Sequence, residues 1–93
     1  MRKIKRSRKF KRDYHREKSG IHGKKLDTLF IEIVRLLADD KNLPPNAVDH
    51  ALFGNLAGYR DCHIRPDLIL IYRKIDDGVL ELLRLGSHSE LGL

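Results

Sequence analysis

Gly58-Tyr59-Arg60-Asp61-Cys62-His63-Ile64-Arg65-Pro66-Asp67, running directly into Leu68-Ile69-Leu70-Ile71-Tyr72, is the stretch on which the fold turns. Side chains alternate faces along a strand, so Tyr59, Asp61, His63 and Arg65 are expected on one side and Arg60, Cys62 and Ile64 on the other. Pro66 cannot donate a ladder hydrogen bond and favours a strand end, which leaves Asp67 at the rim, close to where Asp61 and His63 point. The run from Leu68 to Tyr72 is apolar on both faces, the pattern of a central strand. Two strands meeting at Pro66-Asp67, the first with a carboxylate and an imidazole on one face, mark a sheet and a candidate site together.

Downstream, Asp76-Asp77-Gly78 is a hairpin signal. It predicts a last strand over 79–85 that returns antiparallel and carries Arg84, followed by Gly86-Ser87-His88-Ser89-Glu90. Pairing around that turn sets residues 84–86 opposite 68–70 and brings His88 beside Asp67. Upstream, residues 39–48 read as a loop because Pro44 and Pro45 cannot continue a helix. The loop delivers a short segment, 49–55, anchored by Leu52 and Phe53, with His50 near the surface. Before it, Leu26, Leu29, Phe30, Ile33, Val34 and Leu37 recur at helical spacing, predicting a helix from Gly23 or Lys24 to Ala38. Ser7 is an N-cap for an earlier helix to about Lys18, on which Phe10 and Tyr14, four apart, bury together. Ile4 among basic residues suggests a short edge strand. The predicted order is β-α-α-β-β-β: an α+β fold with a two-helix hairpin packed on a twisted, mostly antiparallel four-stranded sheet, as one domain over 1–93.

Ninety-three residues with 41% hydrophobic and 34% charged side chains suit one small folded unit rather than a disordered chain. The longest apolar stretches fall far short of the roughly 20 residues a membrane span needs, and no signal-peptide core follows the basic N-terminus, so a cytoplasmic protein without membrane association is expected. The single Cys62 excludes an intramolecular disulfide framework and falls on the expected core face. The net charge of +6 is uneven: residues 1–25 hold twelve Lys and Arg against Asp13 and Glu17, and the remainder is net acidic. Such concentration predicts a polyanionic partner, either nucleic acid or an acidic protein.

His50, Asp61, His63, Asp67, Arg84 and His88 suit cleavage of an RNA phosphodiester by its own 2′-hydroxyl. That reaction needs a base for the hydroxyl proton, an acid for the leaving 5′-oxygen, and a cation near the phosphate. Histidine fits both proton roles near neutral pH. A carboxylate can fix a ring's tautomer or, with a raised pKa, act as the base. Arg84 offers a bidentate fork to phosphate oxygens. Arg60 and Arg65 are further candidate phosphate contacts, although Arg60 shares its face with Cys62 and Ile64 and is either an edge charge reaching substrate or half of a buried pair. The same groups are plausible zinc or manganese ligands, but no spacing among them is diagnostic of a metal site. His15 and His22 read as surface residues.

Three segments resemble the YafQ-type branch of the RelE/ParE superfamily of bacterial type II toxins: Asp49-His50-Ala51-Leu52-Phe53-Gly54, then Gly58 to Asp67 with its apolar continuation, and Leu82-Leu83-Arg84-Leu85-Gly86-Ser87-His88-Ser89-Glu90-Leu91. The resemblance implies a small α+β endoribonuclease that cleaves mRNA, commonly on the ribosome, without metal or other cofactor, and that is neutralised by a cognate antitoxin, acidic and encoded nearby. It places the functional residues on His50, Asp61, His63, Asp67, Arg84 and His88. Where that family commonly has an aromatic four residues after the last histidine, this chain has Gly92, so a base contact there is expected to be missing. The alternatives are a ParE-like poison of a protein target such as DNA gyrase, which leaves the histidines without a role, and an RNA-binding protein with a weakened site.

Overall fold

The computed structural model describes residues 1–93. Its elements are β1 (Lys3–Arg6), α1 (Arg8–Lys18), α2 (Gly23–Ala38), β2 (His50–Ala51), β3 (Arg60–Arg65), β4 (Leu68–Ile75), β5 (Val79–Gly86) and α3 (His88–Leu91), with short 3-10 turns at Pro45–Ala47 and Gly54–Leu56. The strands form one five-stranded sheet in the order β1-β5-β4-β3-β2. β1 runs parallel to β5 and every other pair is antiparallel. The class is the expected α+β. The sheet has five strands rather than four because His50-Ala51 pairs with β3, and a third helix follows β5.

Both long helices follow from local rules. The Ser7 hydroxyl accepts the Phe10 amide at 2.9 Å and so starts α1. Phe10 of α1 and Leu26, Ile33, Val34 and Leu37 of α2 are buried against Cys62, Leu68, Leu70, Tyr72, Leu80, Leu82 and Leu85 of the sheet. Phe10, Tyr14 and Phe30 form an aromatic cluster with centroids 5.0 to 5.9 Å apart. The turn between the helices is tight at Gly23, where a Cβ would stand 2.1 Å from the Lys18 carbonyl oxygen. Gly23→Ala is therefore expected to pry α2 from the end of α1 and cost about 1–3 kcal/mol, read as a lower thermal midpoint.

Register decides what each face carries. Leu68, Leu70 and Tyr72 of β4 belong to the helix-side core, so Ile69 and Ile71 face the other way, and both are fully buried there. Two bulges interrupt the alternation. One lies between His63 and Arg65, and the other lets Ile71 pair with Arg84 while Tyr72 pairs with Leu82, leaving Leu83 as the extra residue. Residues 84–86 consequently lie opposite 69–71, one residue from the register expected of an uninterrupted hairpin. The bulge also turns Arg84, which strict alternation from Leu82 would bury under the helices, onto the helix-free face.

Candidate active site

That helix-free face carries the ionisable residues in rows. His50 pairs with Asp61, Asp61 with Ile71 and Ile71 with Arg84, so a single line of side chains crosses four strands. His63, opposite Ile69, stands in the next row towards the β3–β4 turn.

At the rim beyond that row, Asp67 and His88 are joined twice. Asp67 Oδ1 accepts the His88 backbone N–H at 3.1 Å and lies 2.9 Å from His88 Nδ1. A carboxylate only accepts, so Nδ1 carries the proton and Nε2 faces outward. The hydrogen bonds from the His88 ring and amide hold the Asp67 carboxyl below the usual carboxylate range. His88 opens α3, whose start is fixed by reciprocal bonds between Ser87 and Glu90. At its other end Gly92, at φ 71°, lets Leu93 N–H reach the His88 carbonyl at 2.9 Å. Gly92 thus closes the helix bearing His88. The His63 and His88 rings meet edge to face with centroids 5.3 Å apart.

Asp61 is 3% exposed. Burial pushes its carboxyl above the ordinary range, against the opposing pull of His50, His63 and His88. His50 Nδ1 lies 3.1 Å from Asp61 Oδ1, yet it donates to the Val48 carbonyl at 2.9 Å, and Oδ1 is left buried without a hydrogen bond. Val48, a β-branched residue at φ 48°, is held in the left-handed region where it ends the 3-10 turn, and its carbonyl is the one that fixes the His50 tautomer. An uncompensated buried carboxyl beside three imidazoles is a proton acceptor in waiting.

Arg84 is not free at the mouth. Its Nε donates to Asp13 Oδ2 at 2.7 Å, and the same oxygen accepts the Leu85 amide at 3.0 Å. β1 ends at Arg6, so beyond Leu82 the outer edge of β5 has no strand beside it. Side chains take its place: Ser7 Oγ donates to the Leu83 carbonyl at 2.6 Å and Arg16 to the Leu85 carbonyl at 2.9 Å. Arg16 also pairs with Asp13 at 3.0 Å and with Glu90 of α3 at 3.1 Å. Burial alone would raise the Asp13 carboxyl; the Arg84 hydrogen bond, the Leu85 amide and the two guanidinium charges outweigh it and hold it below the usual range. Lys9, Arg12, Asp13, Arg16 and Arg84 line a hollow of about 300 Å³. Sequence reasoning missed Asp13. Its signal is there in retrospect: one of two acids among twelve cations, three residues after Phe10 and so on the buried side of α1.

Two expected phosphate contacts lie elsewhere. Arg60 is opposite Tyr72, on the helix-side face, where Asp49 Oδ1 accepts from Arg60 Nε at 3.2 Å and from the Tyr72 hydroxyl at 2.6 Å. The bulge before Arg65 sets it opposite core-facing Leu68, away from the face of His63. Alternation had put it with His63; the extra residue reverses that. No three His, Cys, Asp or Glu side chains are arranged to hold a metal ion.

A helical hairpin on one face of a small mixed sheet is a fold this chain shares with solved bacterial toxins of type II toxin-antitoxin pairs. The sequence model described as the bacterial toxin of type II toxin-antitoxin system, YafQ, matches residues 2–92. The mRNA interferase toxin YafQ of Escherichia coli K12 is 43% identical over 63 residues, 66% of this chain and 67% of that protein. The crystal structure of YafQ from E. coli BL21(DE3) superposes with a TM-score of 0.82 at 32% identity, covering 98% of both chains. YafQ in the E. coli DinJ-YafQ complex gives 0.79 at 34% identity over 98% of both chains, and a metal-bound toxin from Helicobacter pylori gives 0.82 at 38% identity over 98% of this chain and 99% of that one. The chain belongs to the YafQ family of toxins.

Proposed function

We propose that this chain is the toxin of a type II pair and acts as an mRNA endoribonuclease, with His50, Asp61, His63, Asp67, Arg84 and His88 as its working residues. The observation that carries the reading is the Asp67–His88 pair with His63 at its side, a tautomer-fixed imidazole next to a second imidazole. One ring takes the 2′-hydroxyl proton while another protonates the leaving 5′-oxygen, and the desolvated Asp61 is a second acceptor within the same row. Arg84 meets the phosphate as charge gathers on it, aimed by Asp13. Asp67 sets the His88 tautomer and the Val48 carbonyl sets that of His50, so each presents Nε2. The E. coli relatives described as mRNA interferases and the DinJ-YafQ complex support both the RNA substrate and an antitoxin that binds this fold. The message on the ribosome is the substrate we favour, in the cytoplasm; no helix is long and apolar enough to cross a membrane.

Induced expression of this chain is expected to arrest growth and leave messages cut at defined positions, mapped by primer extension. Accumulation of DNA breaks with intact messages would instead support a gyrase-type poison. The groups that move protons here are side chains, so cleavage by the purified toxin is expected to persist in excess chelator. Its loss would support metal-assisted chemistry, relevant because an H. pylori neighbour is described as metal-bound.

A further inference from the structure

We propose that Phe53 is a nucleobase-stacking residue for the RNA strand that enters this site, an inference that rests on the ribonuclease reading above. Among the phenylalanines and tyrosines it alone is exposed, at 86%, while Phe10 and Tyr72 are fully buried and Phe30, Tyr14 and Tyr59 half-buried. Its exposure is built in. The loop is closed by Leu52 N–H to the Tyr59 carbonyl at 3.0 Å and braced by Leu56 N–H to the Phe53 carbonyl at 3.3 Å, Ala57 N–H to the Gly54 carbonyl at 3.1 Å and Tyr59 N–H to the Leu56 carbonyl at 3.0 Å. Gly54 and Gly58 take positive φ to permit those bonds. The loop is also anchored, because Leu56 lines a hollow of about 260 Å³ with Ile71, Leu83, Leu91, Lys9 and Arg84 on the helix-free face. Leu56, and not Phe53 as the sequence suggested, therefore anchors the segment, while Phe53, at the other end of the same 3-10 turn, stays out.

Position and surroundings point to a base. Phe53 lies three residues beyond His50, within about 10 Å of chain. Around it in the chain Gly54 and Asn55 are small or polar, Leu52 and Leu56 are half-buried, and the exposed apolar residues Ala51 and Ala57 are small. A protein-docking anchor sits in a contiguous apolar patch; an exposed rigid ring on a turn whose Leu56 packs beside Lys9 and Arg84 suits the flat face of a base on a polyanionic strand. Stacking also tolerates any base, so it positions the strand while sequence choice is made elsewhere.

The test is single-turnover cleavage of a defined message on programmed ribosomes by the full chain and by Phe53→Ala, Phe53→Leu and Phe53→Tyr, all expected to melt like the parent. Phe53→Ala and Phe53→Leu should raise the half-saturating toxin concentration about tenfold with the maximal rate retained, and Phe53→Tyr should restore it. Unchanged cleavage by Phe53→Ala, or full function in Phe53→Leu, would overturn stacking. So would unchanged cleavage combined with escape from the antitoxin, which would make Phe53 a protein contact. A parent chain that cuts no message would strike the ribonuclease reading itself, before the variants are compared.

Discussion

His88→Ala and His63→Ala are each expected to slow message cleavage by on the order of 10²–10⁴-fold, the usual loss when a general acid or base is removed. Expression of either variant should no longer arrest growth. The fold should be spared, because what fixes α3 survives in His88→Ala: the Ser87–Glu90 bonds remain, and the residue 88 backbone N–H still reaches Asp67. Asp67→Asn separates roles within the pair. An amide oxygen still accepts from Nδ1, so a partial loss in Asp67→Asn beside a full loss in His88→Ala would identify Asp67 as a positioning residue. Unchanged toxicity in both histidine variants would remove the catalytic assignment. Circular dichroism and melting curves on the purified variants keep a folding defect from being mistaken for a chemical one.

Asp13→Ala is expected to cost stability and activity together. It takes away the acceptor of two guanidinium groups and leaves the Leu85 N–H buried without a partner, a loss of about 3 kcal/mol for a buried pair broken from one side. Arg84, released from its brace, should hold the phosphate less well, so cleavage falls even under conditions where the variant is folded. Asp13→Asn is the sharper probe, since it keeps an acceptor for Leu85 and gives up the charge. Its pH dependence has a definite sign. The folded-state pKa of Asp13 is depressed, so its contribution is fully present above the ordinary carboxylate range and is lost as pH falls through the lowered value. The stability gap between parent and Asp13→Asn should therefore be widest near neutrality and close in acid, as followed by urea unfolding from pH 7 downward. A gap that does not change with pH would mean that the charge is irrelevant.

Much of this architecture is readable in the residues, for reasons that also mark where reading fails. α1 begins at the predicted Ser7 cap and ends at Lys18, marked by that cap and by Phe10 and Tyr14 four apart, and α2 occupies Gly23–Ala38, where helical periodicity is repeated over several turns. The meeting of Asp67 with His88 followed from two hairpins. β2 and α3 escaped because two and four residues are too few to show a period. The bulges at residues 64 and 83 escaped because alternation assumes none, and each reversed the face of an arginine, Arg65 towards the side of Leu68 and Arg84 towards the helix-free side. Asp13 and Arg84 are 71 residues apart, and nothing local to either announces the other.

The way α1 side chains occupy the outer edge of β5 also limits how this toxin can be restrained. Backbone groups that would template an incoming strand at Leu83 and Leu85 are already taken by Ser7, Asp13 and Arg16. On the opposite side, the sheet ends in only two residues, His50 and Ala51. Near the histidines, then, the β5 side offers an inhibitor no free backbone to extend, and β2 offers only two residues. An inhibitor that lies across the helix-free face instead silences the site by covering it.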